Sequence, residues 1–162
     1  MDAPSAVLAT NRYALRDYET IETCNAGMVL LGGEIKSLRR SHVELAGAYV
    51  QSRANELWLV GAHIAVAPEV TEYGSYDPLR LRKLLMQRRE IDRLVHRVER
   101  QRLVMYPINI HLTRGRAKLN FGIGRALKKV DRREAIRRKE VQRQKEGQQR
   151  RGARGGGRRT ST

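Results

Sequence analysis

Alternating apolar and polar positions predict two β-hairpins in this chain. In "AYVQSRANELWLV", two strand-like runs flank Ala54-Asn55, and Leu57 and Leu59 fall on the same face of the second run. Residues 103–124 alternate in the same way around a turn at Arg114-Gly115. The positions predicted to face inward in this second hairpin are Ile108, Ile110, Leu112, Ala117, Leu119, Phe121 and Ile123.

The region before the first hairpin mixes extended and helical patterns. Asn11 precedes one predicted helical turn as its cap, and residues 18–31 read as a bent strand. After Gly32-Gly33, "EIKSLR" predicts a short helical turn with Ile35 and Leu38 inward. The remaining positions of that turn are expected to face solvent or a partner: Glu34, Lys36, Ser37 and Arg39.

A helical pattern is predicted from Asp77 onward. Asp77 is the expected N-cap, Pro78 is the first helical residue, and an apolar stripe follows. The stripe is interrupted near Gln87, so two short helices meeting at an exposed elbow are an alternative. The stripe comprises Leu81, Leu84, Leu85, Ile91, Leu94, Val95 and Val98.

These elements predict a mainly β chain with helices, an α+β fold. About six short, mostly antiparallel strands are typical of a small barrel that closes its own edges, such as an oligonucleotide-binding-type barrel. We expect a flexible N-terminus at residues 1–10, the barrel at 11–124 and a basic tail at 125–162.

Charge separates the tail from the rest of the chain. Residues 1–124 carry 18 lysines and arginines against 13 acids, whereas residues 125–162 carry 15 against 4. Helix-forming residues continue to about Lys145, but the apolar positions form no continuous face, so the tail is expected to be mostly disordered when free. A polycation of this kind favours nucleic acid or an anionic membrane surface as a partner.

Little in the sequence supports an enzyme, a metalloprotein or a membrane protein. There is no long apolar run and no signal-peptide pattern, which predicts a cytoplasmic location without a membrane partner. Cys24 is the single cysteine, and the four histidines have no metal-ligand spacing, so we expect no metal and no cofactor. "GIGRAL" lacks the third glycine of a dinucleotide loop, and no pair of acids stands out for acid–base catalysis.

Three separated basic sets point to RNA. Aromatic residues make up only 5% of the chain, which disfavours base stacking along a single strand and favours recognition of phosphates and shape in folded RNA. The sets are Lys36, Arg39 and Arg40; Arg80, Arg82, Lys83, Arg88 and Arg89; and Arg114, Arg116 and Lys118.

Several sequence segments resemble those of the SsrA-binding protein family (SmpB). The resemblance rests on "NRYALRDY", "NAGMVLLGGEIKSLR", "LVGAHI", "DPLRLRKLL", "GRAKLNFGIG" and "DRREAIRRKE", in the family's order and over about residues 11–140. It implies an RNA-binding protein that is not an enzyme. Such a protein binds the tRNA-like domain of transfer-messenger RNA (tmRNA) and, with elongation factor Tu, brings the alanyl-charged RNA to stalled ribosomes for trans-translation. A monomer without a DNA partner is expected.

The resemblance also implies which residues contact RNA. Asn25 stands where the family usually has Glu, and Gln87 where it has Asn or His, but both remain hydrogen-bonding residues. Glu34 either contacts RNA or orients a neighbouring cation. The implied set is Asn11, Asn25, Glu34, Lys36, Ser37, Arg39, Lys83, Leu85, Gln87 and Lys118.

For the tail, the resemblance implies a segment that becomes partly helical in the empty messenger RNA channel, with its start at the decoding centre of 16S ribosomal RNA. Ala126 and Leu127 replace the family's Gly and Lys, and the aliphatic Val130 stands at the position of a ring that could stack on a base. The tail residues implied in ribosome contacts are Lys128, Lys129, Val130, Asp131, Arg132, Arg133, Arg137 and Arg138.

Two other functions remain open at this point. One is a ribosomal or RNA-chaperone barrel whose generic basic tail binds many RNAs alike. The other is an RNA-processing enzyme, which predicts turnover abolished by a single acidic or histidine substitution.

Overall fold

A closed ring of strands forms the core of the larger of two units. The computed structural model describes residues 6–66 and 76–154, and the chain divides into the units Met1–Ala126 and Leu127–Thr162. The described residues of the first unit form three helices, α1 (Ala14–Asp17), α2 (Gly32–Arg39) and α3 (Arg88–Gln101). They also form nine strands: β1 (Ala6–Thr10), β2 (Tyr18–Met28), β3 (Val43–Glu44), β4 (Tyr49–Arg53), β5 (Glu56–Val60), β6 (His63–Ile64), β7 (Arg82–Leu85), β8 (Val104–Thr113) and β9 (Arg116–Ala126).

Antiparallel pairing closes six of these strands into a small barrel. Neighbouring strands follow the order β8-β4-β5-β7-β2-β9, and β9 pairs back to β8, so the ring ends where it begins. β1 adds to β8 outside the ring, and β3 pairs with β6 separately. The predicted mainly β, α+β fold is therefore confirmed.

Both predicted hairpins are present. β4 and β5 join at Ala54 and Asn55, whose φ angles of 48° and 60° give the left-handed pair that a tight two-residue hairpin requires. β8 and β9 join at Arg114 and Gly115, with φ angles of 52° and 74°. Leu57, Leu59, Leu119, Phe121 and Ile123 are fully buried, and Ile110 with them, as the alternation predicts.

The second half of the pattern after Asp77 forms a helix, but the first half does not. Ile91 and Leu94 of α3 are buried in the core, and Arg102, which follows the helix as its C-cap, adopts a left-handed conformation. The prediction of helix before Gln87 is wrong, because residues 82–85 pair with β5 and β2 as strand β7. Arg82 and Leu84 point inward while Leu85 is 52% exposed, which is the alternation of a strand. Asp77 instead caps a turn, since its carboxylate accepts a hydrogen bond from the Leu79 N–H at 2.9 Å.

The prediction of a flexible N-terminus is wrong for Ala6–Thr10. These residues pair with β8 from Ala6↔Leu112 to Thr10↔Asn109, so their backbone groups are held in a sheet. Residues 1–5 lie outside the described residues. The predicted cap at Asn11 is wrong, because Tyr13 is the N-cap of α1 and no side chain caps this helix. The Asn11 side-chain oxygen instead accepts a hydrogen bond from the Tyr13 N–H at 3.2 Å, in the turn before α1.

The glycines of "GIGRAL" have a packing role in β9. A Cβ on Gly122 would lie 2.5 Å from the Tyr106 ring, and one on Gly124 would lie 1.9 Å from the Glu19 carbonyl oxygen. The Tyr106 ring is held in place by stacking on Tyr18, with ring centroids 4.1 Å apart. The motif therefore allows close approach of a ring and of the neighbouring β2 backbone.

The described residues of the second unit form one helix, α4 (Lys129–Arg154). It extends nine residues past Lys145, where the predicted helix-forming residues end. Its described side chains, residues 133, 134 and 136–148, are all exposed, including the apolar Ile136 and Val141. Disorder of the tail in the free protein stays a prediction.

Candidate nucleic-acid interface

Four of the implied RNA contacts meet in one groove on the barrel. Asn25, Leu85, Gln87 and Lys118 line a groove of about 440 Å³, together with Ala26, Gly27, Met86 and Glu90. They come from β2, β7, the β7–α3 junction and β9, which are distant in sequence. Strand pairing brings them together, because Gly27 lies between Leu85 on one side and Lys118 on the other. We call this feature the barrel groove.

The barrel groove combines charge, hydrogen-bonding groups and apolar surface. Lys118 supplies a positive charge, Asn25 and Gln87 supply neutral amides, and the exposed Leu85 supplies an apolar contact. A phosphate can pair with the ammonium group while amides meet sugar or base edges. The exposure of Gln87 at the start of α3 was predicted from the interrupted stripe and is confirmed.

Helix α2 presents cations outward and holds an acid inward. Lys36 and Arg39 are exposed, as predicted. Glu34 and Ser37 are not, because their exposed fractions are only 0% and 5%. The expectation that these two side chains face solvent is therefore wrong. Ser37 donates a hydrogen bond from its hydroxyl to the Gly33 carbonyl oxygen at 3.1 Å, within its own helix.

Glu34 is the centre of a buried ionic cluster. Its carboxylate accepts a hydrogen bond from the Arg82 Nε at 2.8 Å and is also paired with Arg80. It further accepts bonds from the Tyr76 hydroxyl at 3.0 Å and from the Leu31 N–H at 2.9 Å, the latter capping α2. The cluster fixes the start of α2 against the turn before β7.

Hydrogen bonds and charge keep Glu34 ionised despite its burial. Burial alone would raise the pKa of this carboxyl group. The hydrogen bonds from Arg80 and Leu31 and the charge of Arg82 outweigh that effect, so the pKa lies below its ordinary value. The sequence left Glu34 either to contact RNA or to orient a neighbouring cation. The geometry supports the second role, because the carboxylate is paired with Arg80 and Arg82.

Arg82 was counted among the cations available to RNA, and the structure corrects that expectation. Its side chain is fully buried, and its guanidinium donates to the Ala62 carbonyl oxygen at 2.5 Å and to the Pro78 carbonyl oxygen at 2.9 Å. Its partner Tyr76 was not identified from the sequence. The available signal was the alternation in "RLRKLL", which puts Arg82 and Leu84 on one face and Lys83 on the other.

Lys83 is partly exposed and already has an acidic partner. Its Nζ lies 2.9 Å from a carboxylate oxygen of Glu56 on the neighbouring strand β5. Its backbone also ties the barrel to α2, since the Val29 N–H donates to the Lys83 carbonyl oxygen at 3.0 Å shortly before α2 begins. An RNA phosphate that binds Lys83 has to compete with Glu56.

Asn11 is 8% exposed and holds the chain against β8. Its side-chain nitrogen donates to the Pro107 carbonyl oxygen at 2.9 Å, and its backbone N–H donates to the Ile108 carbonyl oxygen at 2.7 Å. Both polar atoms of the side chain are therefore engaged within the protein. Asn11 positions the end of β1.

The implied ribosome contacts fall at the start of α4. Lys128, Arg133, Arg137 and Arg138 are exposed, and Arg138 lies 3.8 Å from Glu134 one turn away. Lys129, Val130, Asp131 and Arg132 belong to the helix or its first turn, but their side chains lie outside the described residues.

The described residues offer neither a cluster of metal ligands nor a membrane-spanning helix. No group of three or more His, Cys, Asp or Glu side chains in the described part of the chain is arranged to hold a metal ion. Among the same residues, no helix is both long and apolar enough to cross a bilayer.

Comparison with known proteins gives one consistent result. The profile of the SmpB protein family matches residues 8–151. The SsrA-binding protein of Roseiflexus castenholzii is 44% identical over 133 residues, which cover 82% of this chain and 84% of that protein. The SsrA-binding protein of Chloroflexus aggregans is 45% identical over 134 residues, which cover 83% and 85%.

A solved structure is similar as well. A chain from the structure described as "tmRNA-SmpB: a journey to the center of the bacterial ribosome" matches with a TM-score of 0.63 and 37% identity, covering 82% of this chain and 96% of that one. The family match spans the barrel and most of α4. This protein therefore belongs to the SmpB protein family.

Proposed function

We propose that this protein binds the tRNA-like domain of tmRNA and delivers alanyl-tmRNA to stalled ribosomes for trans-translation. Its relatives are SsrA-binding proteins, and the similar solved chain comes from a tmRNA–SmpB study on the bacterial ribosome. In this proposal the protein acts in the cytoplasm as a monomer, and elongation factor Tu joins it through the charged RNA.

The observation that carries the proposal is the barrel groove. Residues from β2, β7 and β9 converge there with the side-chain types that folded RNA requires. Lys36 and Arg39 add positive charge on α2, which begins four residues after β2 ends. The fold therefore presents several potential phosphate and sugar contacts without a catalytic group among them.

The protein acts by binding, without a chemical step of its own. Glu34 is the buried acid among the implied site residues, and its carboxylate is already engaged by Arg80, Arg82, Tyr76 and the Leu31 N–H. A general acid or base must reach a proton on the substrate, which an internally paired carboxylate cannot do. Glu34, Asn11 and Ser37 support the interface by positioning α2 and β1.

The tail serves the ribosome in this proposal. α4 exposes a dense array of lysine and arginine side chains and buries none of its described apolar residues. Ribosomal RNA would neutralise the repulsion between like charges that opposes an isolated helix. The start of the tail, from Lys128 to Arg133, then lies in the decoding centre and the remainder in the messenger RNA channel.

Comparative RNA binding tests the proposal. The purified protein is titrated at one stated salt concentration with the tRNA-like domain of tmRNA, an ordinary tRNA and a single-stranded RNA of equal length. We expect clear preference for the tRNA-like domain. Equal affinity for all three RNAs would contradict the proposal and identify a generic RNA-binding barrel with a basic tail.

A further inference from the structure

A row of neutral polar side chains crosses four neighbouring strands beside the barrel groove. Strand register pairs Asn25 of β2 with Asn120 of β9, Asn120 with Asn109 of β8, and Asn109 with Thr10 of β1. Paired residues of antiparallel strands share one face of the sheet, and neighbouring strands lie about 4.8 Å apart. We call Asn25, Asn120, Asn109 and Thr10 the amide row.

The amide row lies on the outer face of the barrel. The neighbours of Asn120 in β9 are Leu119 and Phe121, both fully buried, so Asn120 points away from the core. Asn25 and Thr10 are exposed, and Asn120 and Asn109 are partly exposed. None of the three asparagine side chains makes a hydrogen bond within the part of the chain that the structure describes.

One end of the amide row lies in the barrel groove, and the other lies on β1, beside a residue that positions the end of that strand. At one end, Asn25 lines the barrel groove with Gln87 and Lys118. At the other end, Thr10 precedes Asn11. Asn120 and Asn109 occupy the two register positions between them, so one continuous strip of surface connects the two ends.

A second row of paired residues lies beside the amide row, two residues away on each strand, and supplies positive charge. It runs from Leu85 through Gly27 and Lys118 to His111. Burial and the nearby charge of Lys118 lower the pKa of His111, so this imidazole is neutral at pH 7. Lys118 is therefore the one fixed charge within this row, while Glu90 lines the barrel groove with it and Arg116 lies on the same strand.

We propose that Asn120 and Asn109 are RNA-contacting residues that extend the barrel groove across β9 and β8 and bind ribose hydroxyls and base edges of folded RNA. A primary amide both donates and accepts hydrogen bonds, which matches the 2′-hydroxyl, itself a donor and an acceptor. The wide minor groove of an RNA helix displays these hydroxyls on a shallow surface, which a row on a sheet can follow. The inference rests on the proposed function, because it names further contacts of the same interface.

The test separates neutral contacts from phosphate contacts by their salt dependence. Asn109→Ala/Asn120→Ala is expected to weaken binding of the tRNA-like domain about tenfold, because two neutral hydrogen bonds are lost. The slope of log affinity against log salt should stay at the wild-type value, since no phosphate contact is removed. Lys118→Ala is expected to lower that slope by about 0.7 to 0.9. Gln101→Ala, a neutral amide at the end of α3, is the matched control and should bind as the wild type does.

Asn120→Asp provides a second variant of nearly identical shape in case the double variant does not fold. A negative charge in the amide row should weaken RNA binding more than loss of the single amide in Asn120→Ala. Wild-type affinity in both the double variant and Asn120→Asp would overturn the inference and leave the proposed function intact, provided that wild-type protein still prefers the tRNA-like domain. Loss of that preference in wild-type protein would contradict the proposed function itself.

Discussion

The barrel and the tail are both basic, but they hold their charges in different ways. In the barrel unit, packed strands and helices position the cations, and several cations are already engaged by acids, such as Arg82 with Glu34 and Lys83 with Glu56. In α4, every described side chain is exposed, and the charge lies along a single helix. Under the proposed function, the barrel would bind one folded RNA through fixed contacts, whereas the tail would take its structure from the surface that surrounds it.

Disruption of the buried Glu34 cluster is expected to have the largest effect on stability. Glu34→Ala leaves Arg82 charged and buried without its partner, which is expected to lower the free energy of unfolding by about 3–5 kcal/mol. Urea denaturation monitored by tryptophan fluorescence of Trp58 measures this. Glu140→Ala in α4 is the matched control and should change stability by less than about 0.5 kcal/mol, since Glu140 is exposed.

The same cluster predicts how barrel stability depends on pH. The pKa of Glu34 is lowered in the folded state below its ordinary value of 4.5, so its contribution is present above that value. Stability should fall as the pH decreases through the folded-state pKa, and this loss should be absent in Glu34→Gln. Parallel acid-induced loss in both proteins would contradict the assigned role of the ion pair.

Removal of one exposed cation is expected to have a smaller effect, which is on RNA affinity and its salt dependence. Lys118→Ala and Lys36→Ala should each weaken binding of the tRNA-like domain roughly three- to tenfold and lower the salt slope by about 0.7 to 0.9. Arg53→Ala, at the exposed end of β4 and outside the barrel groove, is the matched control. Equal losses in all three variants would indicate charge attraction without a defined interface.

The tail should unfold separately from the barrel. None of the described apolar side chains of α4 is buried, so these residues lack the tertiary packing that gives most helices in proteins their stability. Circular dichroism of the full chain should show a gradual, non-cooperative loss of helix on warming before the barrel unfolds. A single cooperative transition that includes α4 would show that the tail is folded in the free protein.

Substitution of Glu56 is expected to have the smallest effect on RNA affinity, and to raise the affinity instead of lowering it. Glu56→Gln frees Lys83 from an exposed ion pair, and such pairs contribute about 0.2–1 kcal/mol. RNA binding should tighten about two- to threefold at low salt, with the gain lost at high salt. Unchanged affinity would mean that Lys83 does not contact the RNA.

The sequence pattern predicted the elements whose structure depends on residues close in sequence. Both hairpins follow from alternation and from the residues at Ala54-Asn55 and Arg114-Gly115, which adopt positive φ angles. β7 was predicted as helix because its short apolar pattern fits both the 3.6-residue period of a helix and the two-residue period of a strand. Pairing with β5 and β2 selects the strand. The alternation in "RLRKLL" was the one local signal for the strand, and it is too short to outweigh the helical spacing.

The arrangement of the barrel groove could not be predicted from the sequence, and its role as an RNA interface stays a prediction. The family resemblance supplied Asn25, Leu85, Gln87 and Lys118, and strand register brings them into one groove. The burial of Glu34 could not be predicted, because Arg80 and Arg82 lie 46 and 48 residues away in the sequence. Asn109 and Asn120 gave no signal at all, since only the register of β2, β9 and β8 aligns them.

The division of labour between barrel and tail is tested most directly by a chain truncated after Arg125. Affinity for the tRNA-like domain of tmRNA and peptide tagging on stalled ribosomes are measured for this chain and for the full-length protein. We predict that the truncated chain binds the RNA within about threefold of full length and that tagging is abolished, because the retained barrel residues carry the phosphate contacts. Loss of most of the RNA affinity on truncation, or tagging that survives it, would contradict the account.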